Sequence, residues 1–91
     1  MSYSLIDGQG VHITQIASVG GMVDLLDFVT RLGGWGPLPT FLNTGETMNP
    51  LAVITEITMV VPYCTDPNVR DTLLNLKQGL EKVKGVALIC D

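Results

Sequence analysis

Pro50-Leu51-Ala52-Val53-Ile54-Thr55-Glu56-Ile57-Thr58-Met59-Val60-Val61-Pro62 is the stretch on which the fold turns. Two readings compete for it. Asn49 followed by Pro50 is a good helix start: asparagine caps, and proline lacks only an N–H that the first helical position leaves unpaired anyway. Against this, Val53, Ile54, Thr55, Ile57, Thr58, Val60 and Val61 are all β-branched. Branching at Cβ restricts side-chain rotation in a helix and suits a pleated, buried surface. The β-branching favours a buried strand over 52–61, with a helix as the alternative.

Towards the C-terminus, Thr65-Asp66-Pro67 again sets capping residues before a proline. Val69, Leu73, Leu76, Leu80 and Val83 then recur every three or four residues, the apolar stripe of an amphipathic helix. Lys82 and Lys84 suit its C-terminal dipole, and Gly85 ends it. Val86-Ala87-Leu88-Ile89-Cys90 reads as a short apolar strand. With 52–61 as a strand, these elements form a right-handed βαβ unit with parallel strands. That unit would gather Tyr63, Cys64, Asp66, Cys90 and Asp91 at one edge of the sheet.

Towards the N-terminus, residues 33–49 form a long connection rich in glycine and proline, with a short turn of helix over 38–42. Before it, Met22, Leu25, Leu26, Val29 and Leu32 mark a helix over 20–32, capped by Ser18 and stopped by Gly33-Gly34. Residues 2–6 and 11–17 flank Asp7-Gly8-Gln9-Gly10, which predicts an antiparallel hairpin. The expected fold is one α+β domain over 1–91. It has a small mixed sheet of three or four strands and two main helices packed on one face.

Of the 91 residues, 46% are apolar and only 15% charged, where about 25% charged is usual. Mean hydropathy is +0.37. A domain this small has little interior, so apolar side chains stay outside unless something covers them. Self-association, as a dimer or higher oligomer, or binding to another protein is the expectation. A sheet face with no helix to cover it is a second reason for it. No apolar run approaches the ~20 residues that cross a bilayer, and no basic and apolar leader opens the chain, so a cytoplasmic location is expected. The net charge of −4, with no basic cluster, argues against nucleic acid and anionic membranes as partners.

No site in the sequence carries specific chemistry. Gly8-Gln9-Gly10 and Gly33-Gly34-Trp35-Gly36 lack the remaining residues and the strand-to-helix setting of phosphate-binding loops. Cys64 and Cys90 have no metal-ligand spacing and read as free packing thiols. No catalytic residue, cofactor or metal is expected. Trp35, the sole tryptophan, with Leu38, Phe41 and Leu42 on the same glycine- and proline-rich connection, is the candidate interaction anchor. The alternative is a pocket that unites His12, Tyr63 and Cys64. The sequence therefore favours a non-enzymatic assembly module, a homo-oligomer or a subunit of a larger complex. The second reading is a small-molecule-binding protein or small enzyme with a pocket completed between subunits.

Overall fold

A computed structural model of the chain describes residues 2–33 and 36–91. The elements run β1 (Ser2–Asp7), β2 (His12–Ser18), α1 (Val19–Arg31), α2 (Pro37–Thr44), β3 (Glu46–Thr47), α3 (Pro50–Val60), a 3-10 turn (Val61–Tyr63), α4 (Pro67–Glu81) and β4 (Ala87–Cys90). The fold is α+β, a four-stranded sheet in the order β2-β1-β4-β3 with the helices.

The decisive stretch is a helix, which corrects the expectation of a strand over 52–61. Asn49 Oδ1 accepts the Ala52 N–H at 3.3 Å and Pro50 opens the first turn. Val53 and Ile57, one turn apart, are fully buried. The helical penalty of a β-branched residue is about 0.5 kcal/mol, and burying a Val or Ile side chain stabilises by roughly 1.5–3 kcal/mol. Thr55 and Thr58 donate their hydroxyls to Leu51 O and Ile54 O at 2.9 and 3.0 Å, so neither carries an unmet polar group. Packing overrides propensity here.

With no strand at 52–61 there is no βαβ unit, and the parallel pair that made the expected sheet mixed is absent. β4 runs antiparallel to both β1 and β3. The fourth strand comes instead from Glu46–Thr47, within the residues read as a connection. That connection also holds a full helix, α2, longer than the expected turn at 38–42.

The hairpin forms as expected. Asp7 Oδ1 accepts the N–H groups of Gln9 and Val11, both at 2.9 Å. Val11-His12-Ile13-Thr14-Gln15-Ile16-Ala17 does not alternate cleanly between apolar and polar residues, and the strand pairing gives the cause. The register against β1 slips twice, leaving Ile13 and Ile16 as extra residues. At a bulge two neighbouring residues turn to the same side, so the pairs Ile13-Thr14 and Ile16-Ala17 both face the core. His12 and Gln15 face outward, opposite Ile6 and Ser4.

The core centres on Leu5, Leu25, Leu38, Phe41, Ile57, Leu73, Leu76 and Leu80. Helix α4 lies close on the sheet because residue 79 is glycine. A Cβ there would stand 2.7 Å from Thr14 Cγ2 and 2.8 Å from Leu5 Cδ2.

Candidate interaction surface

Paired residues on adjacent strands share a face, so the sheet's outer face is readable from its register. Ser4 pairs with Cys90 and Gln15; Ile6 pairs with Leu88 and His12; Leu88 also pairs with Glu46. Among the described residues this face is mostly polar, with Ile6 and Leu88 as its large aliphatic residues. An antiparallel sheet tolerates such a face in water. Its edges are blunted as well: β3 has two residues and β2 carries two bulges. The uncovered sheet face thus gives little reason for association.

Large apolar side chains surface on several elements, Val11 of the hairpin and Val23 of α1 among them, and most strongly around α3. Among the described residues, Met48, Leu51, Met59 and Tyr63 are 77%, 74%, 66% and 72% exposed. They lie in and beside α3, which turns Val53 and Ile57 inward and Leu51, Thr55 and Met59 outward. Because Thr55 gives its hydroxyl to Leu51 O, its methyl is what remains for the surface. Apolar depressions flank the helix. One, of about 380 Å³, lies between α3 and the α1–α2 side and is lined by Leu32, Pro37, Ala52 and Met59 among others. Another, of about 500 Å³, lies between Leu51 and Ile54 on one side and Leu80 and Val83 on the other, with Glu81 and Lys84 also in its lining.

From residue 47 to residue 65 the chain has one carboxylate, Glu56, and no lysine or arginine. Glu56 is turned away from the exposed face towards α2. It accepts the Leu38 N–H at 2.7 Å, capping α2 from a neighbouring helix. Burial raises the Glu56 pKa above its ordinary value, and the Leu38 hydrogen bond pulls it back in part. Gly36, at φ +114°, leaves room for this carboxylate, which a Cβ at that position would strike.

The predicted site residues lie elsewhere. Leu38 and Phe41 are fully buried and Leu42 nearly so. They form the inner face of α2, where proline starts the helix and Gly45 closes it with a 2.7 Å bond to Phe41 O. They are core residues of this chain and not loop anchors. Trp35 lies outside the described residues.

His12, Tyr63 and Cys64 do not converge. Gly79 of α4 packs near Ile13 and Thr14, so His12 sits towards the C-terminal end of that helix. Cys64 and Tyr63 precede its first turn, and roughly 18 Å of helix separates Pro67 from the level of Gly79. His12 and Tyr63 are exposed. Cys64 is buried and donates its thiol to Asp66 O at 3.3 Å. Cys90 is exposed on the outer strand face. Among the described residues no three His, Cys, Asp or Glu side chains cluster as a metal site, and no helix is long and apolar enough to cross a membrane.

The exposed α3 face was missed because its residues were assigned to a buried strand. Its signal was present in Asn49-Pro50 and in the four-residue spacing of Leu51, Thr55 and Met59. No protein-family model, curated protein or solved structure matches this chain.

Proposed function

We propose that the chain is a non-enzymatic interaction module whose docking surface is the outward face of α3, acting as a homo-oligomer or within a larger complex. The observation that carries this reading is the exposure of Met48, Leu51, Met59 and Tyr63 on a stretch whose sole carboxylate is engaged elsewhere. Exposed apolar area without charge is what protein interfaces place at their centres. The free thiols of Cys64 and Cys90 suit a reducing cytoplasm.

The test uses Leu51→Glu and Met59→Glu. Both sites are exposed, so the variants are expected to keep the wild-type circular dichroism spectrum. Both are expected to lose association and to bind less 8-anilinonaphthalene-1-sulfonate, a dye that fluoresces on apolar surfaces. Unchanged association and dye binding in both variants would refute the reading.

A further inference from the structure

We propose that the depression between α1, α2 and α3 is a binding site for a small apolar amine, with Glu56 as the group that recognises the ammonium. The site stands whether or not the outward face of α3 docks a partner. Val29 and Leu32 at the end of α1, Pro37 at the start of α2, and Ala52, Met59 and Val60 from α3 give it apolar walls around about 380 Å³. An adjoining depression of about 300 Å³ shares Leu32, Met59 and Val60 and carries the groove on to Tyr63. Small-molecule sites usually span roughly 300–1,000 Å³, with mostly apolar walls and a few placed polar groups. This one lies near the small end of that range, so a single aromatic ring on a short arm suits it.

The polar chemistry of the site rests on one side chain. Among the described residues lining the depression, Glu56 is the sole ionisable one, and the Thr55 hydroxyl is committed to Leu51 O. Glu56 Oε2 accepts the Leu38 N–H at 2.7 Å, which holds the carboxylate between α2 and α3. Its Oε1 accepts no hydrogen bond from any described residue. Glycine at residue 36 keeps that oxygen uncovered, because a Cβ there would strike it. A ligand N–H therefore has an oxygen to meet. Burial already disfavours the charge on Glu56, and a cation beside a carboxylate favours it again.

Charge then selects the ligand. An anion is repelled by Glu56 across walls that screen poorly. A neutral apolar molecule gains the walls alone. An ammonium gains the walls and a charge-assisted hydrogen bond. The depression of about 500 Å³ beside Leu51 makes no such choice, because Glu81 and Lys84 both line it.

The experiment compares phenethylamine, phenethyl alcohol and hydrocinnamate, which share one skeleton and differ in charge. Each is titrated at neutral pH into the isotope-labelled wild-type chain, and amide shifts are followed by NMR. The amine is expected to give saturable shifts at Leu38, Ala52, Glu56 and Met59. Its dissociation constant should lie about tenfold or more below that of the alcohol, and hydrocinnamate should not bind. Glu56→Gln keeps an acceptor for the Leu38 N–H and removes the charge, so it should bind amine and alcohol alike. Circular dichroism first checks that this variant is folded; if it is not, the three ligands on the wild-type chain decide alone. Equal affinity for amine and alcohol, or binding of hydrocinnamate in the depression, would overturn Glu56 as the recognising group. Amine shifts centred on Asp24, Asp27 and Asp66 would mean general attraction to surface acids and would remove the site. So would the absence of saturable shifts with all three molecules, or a folded Glu56→Gln that still prefers the amine.

Discussion

Replacing glycine by alanine in two helices of this chain is predicted to shift stability in opposite directions. In α4, a methyl at residue 79 would meet Thr14 Cγ2 at 2.7 Å and Leu5 Cδ2 at 2.8 Å. Carbon atoms prefer about 3.5–4.0 Å, so helix and sheet must part by up to about 1 Å, or Leu5 must leave its rotamer. Leu5 is fully buried and has nowhere to turn. Overpacking of this kind costs about 1–3 kcal/mol, and alanine returns up to about 1 kcal/mol of helix propensity. The net loss for Gly79→Ala is about 1–2 kcal/mol, or a Tm lower by roughly 4–16 °C in a domain of this size. In α1, a methyl at Gly20 meets nothing within 4 Å. Gly20→Ala therefore stabilises by about 0.4–1 kcal/mol, chiefly by restricting the unfolded chain. Thermal and urea unfolding of both variants measure the two signs. An unchanged or raised Tm in Gly79→Ala would show that α4 does not approach the sheet this closely.

Other substitutions test the remaining contacts. Phe41→Ala should cost about 3–5 kcal/mol, a large part of a small domain's stability; a cost below about 1 kcal/mol would return Phe41 to the surface. Glu56 carries a pH signature. Its carboxyl is raised in the folded chain by burial, so the folded state holds this proton more tightly than the unfolded state. Its contribution is fully present below the unfolded pKa and is lost as pH rises through the folded pKa. Glu56→Gln keeps an acceptor for Leu38 N–H but does not titrate. Its stability is predicted to vary less than wild type between pH 4.5, the ordinary value, and neutrality; equal slopes would contradict the assignment. Glu56→Ala, which leaves α2 uncapped, should lose about 1 kcal/mol. Finally, Ellman's reagent is expected to modify Cys90 rapidly in the native protein and Cys64 only on unfolding, because one thiol is exposed and the other buried. Two equally fast thiols would place Cys64 at the surface.

Where local signals agreed with one another, the elements were legible in the sequence. The α4 stripe, its Asp66-Pro67 start and the Asp7–Gly10 turn each had one consistent reading, and each forms. Residues 50–62 set β-branched composition against a capping pair, and the choice depended on packing that no local pattern contains. Val53 and Ile57 reach the core from a helix, and the strand reading carried the parallel sheet away with it. The residues of α2 were hidden by their glycines and prolines. Leu38, Phe41 and Leu42 looked like anchors on a loop, whereas a proline start and a glycine close make a helix of them. The general surplus of apolar residues was legible, but its place was not. It was expected on an open sheet face, which the pairing of Ser4, Gln15, His12 and Glu46 makes largely polar, and its most exposed members, Met48, Leu51, Met59 and Tyr63, lie in and beside α3. Gly79 gave no warning, because its role is set by the distance between two elements remote in sequence.

The most direct test of α3 as the docking surface is a set of two-dimensional amide NMR spectra of the wild-type chain across a concentration series. Concentration-dependent shifts or broadening are expected at Met48, Leu51, Thr55, Met59 and Tyr63, with Ser4, Ile6, Gln15 and Leu88 on the outer sheet face unmoved. Changes concentrated on those sheet residues, with α3 silent, would rule out α3 as the docking surface.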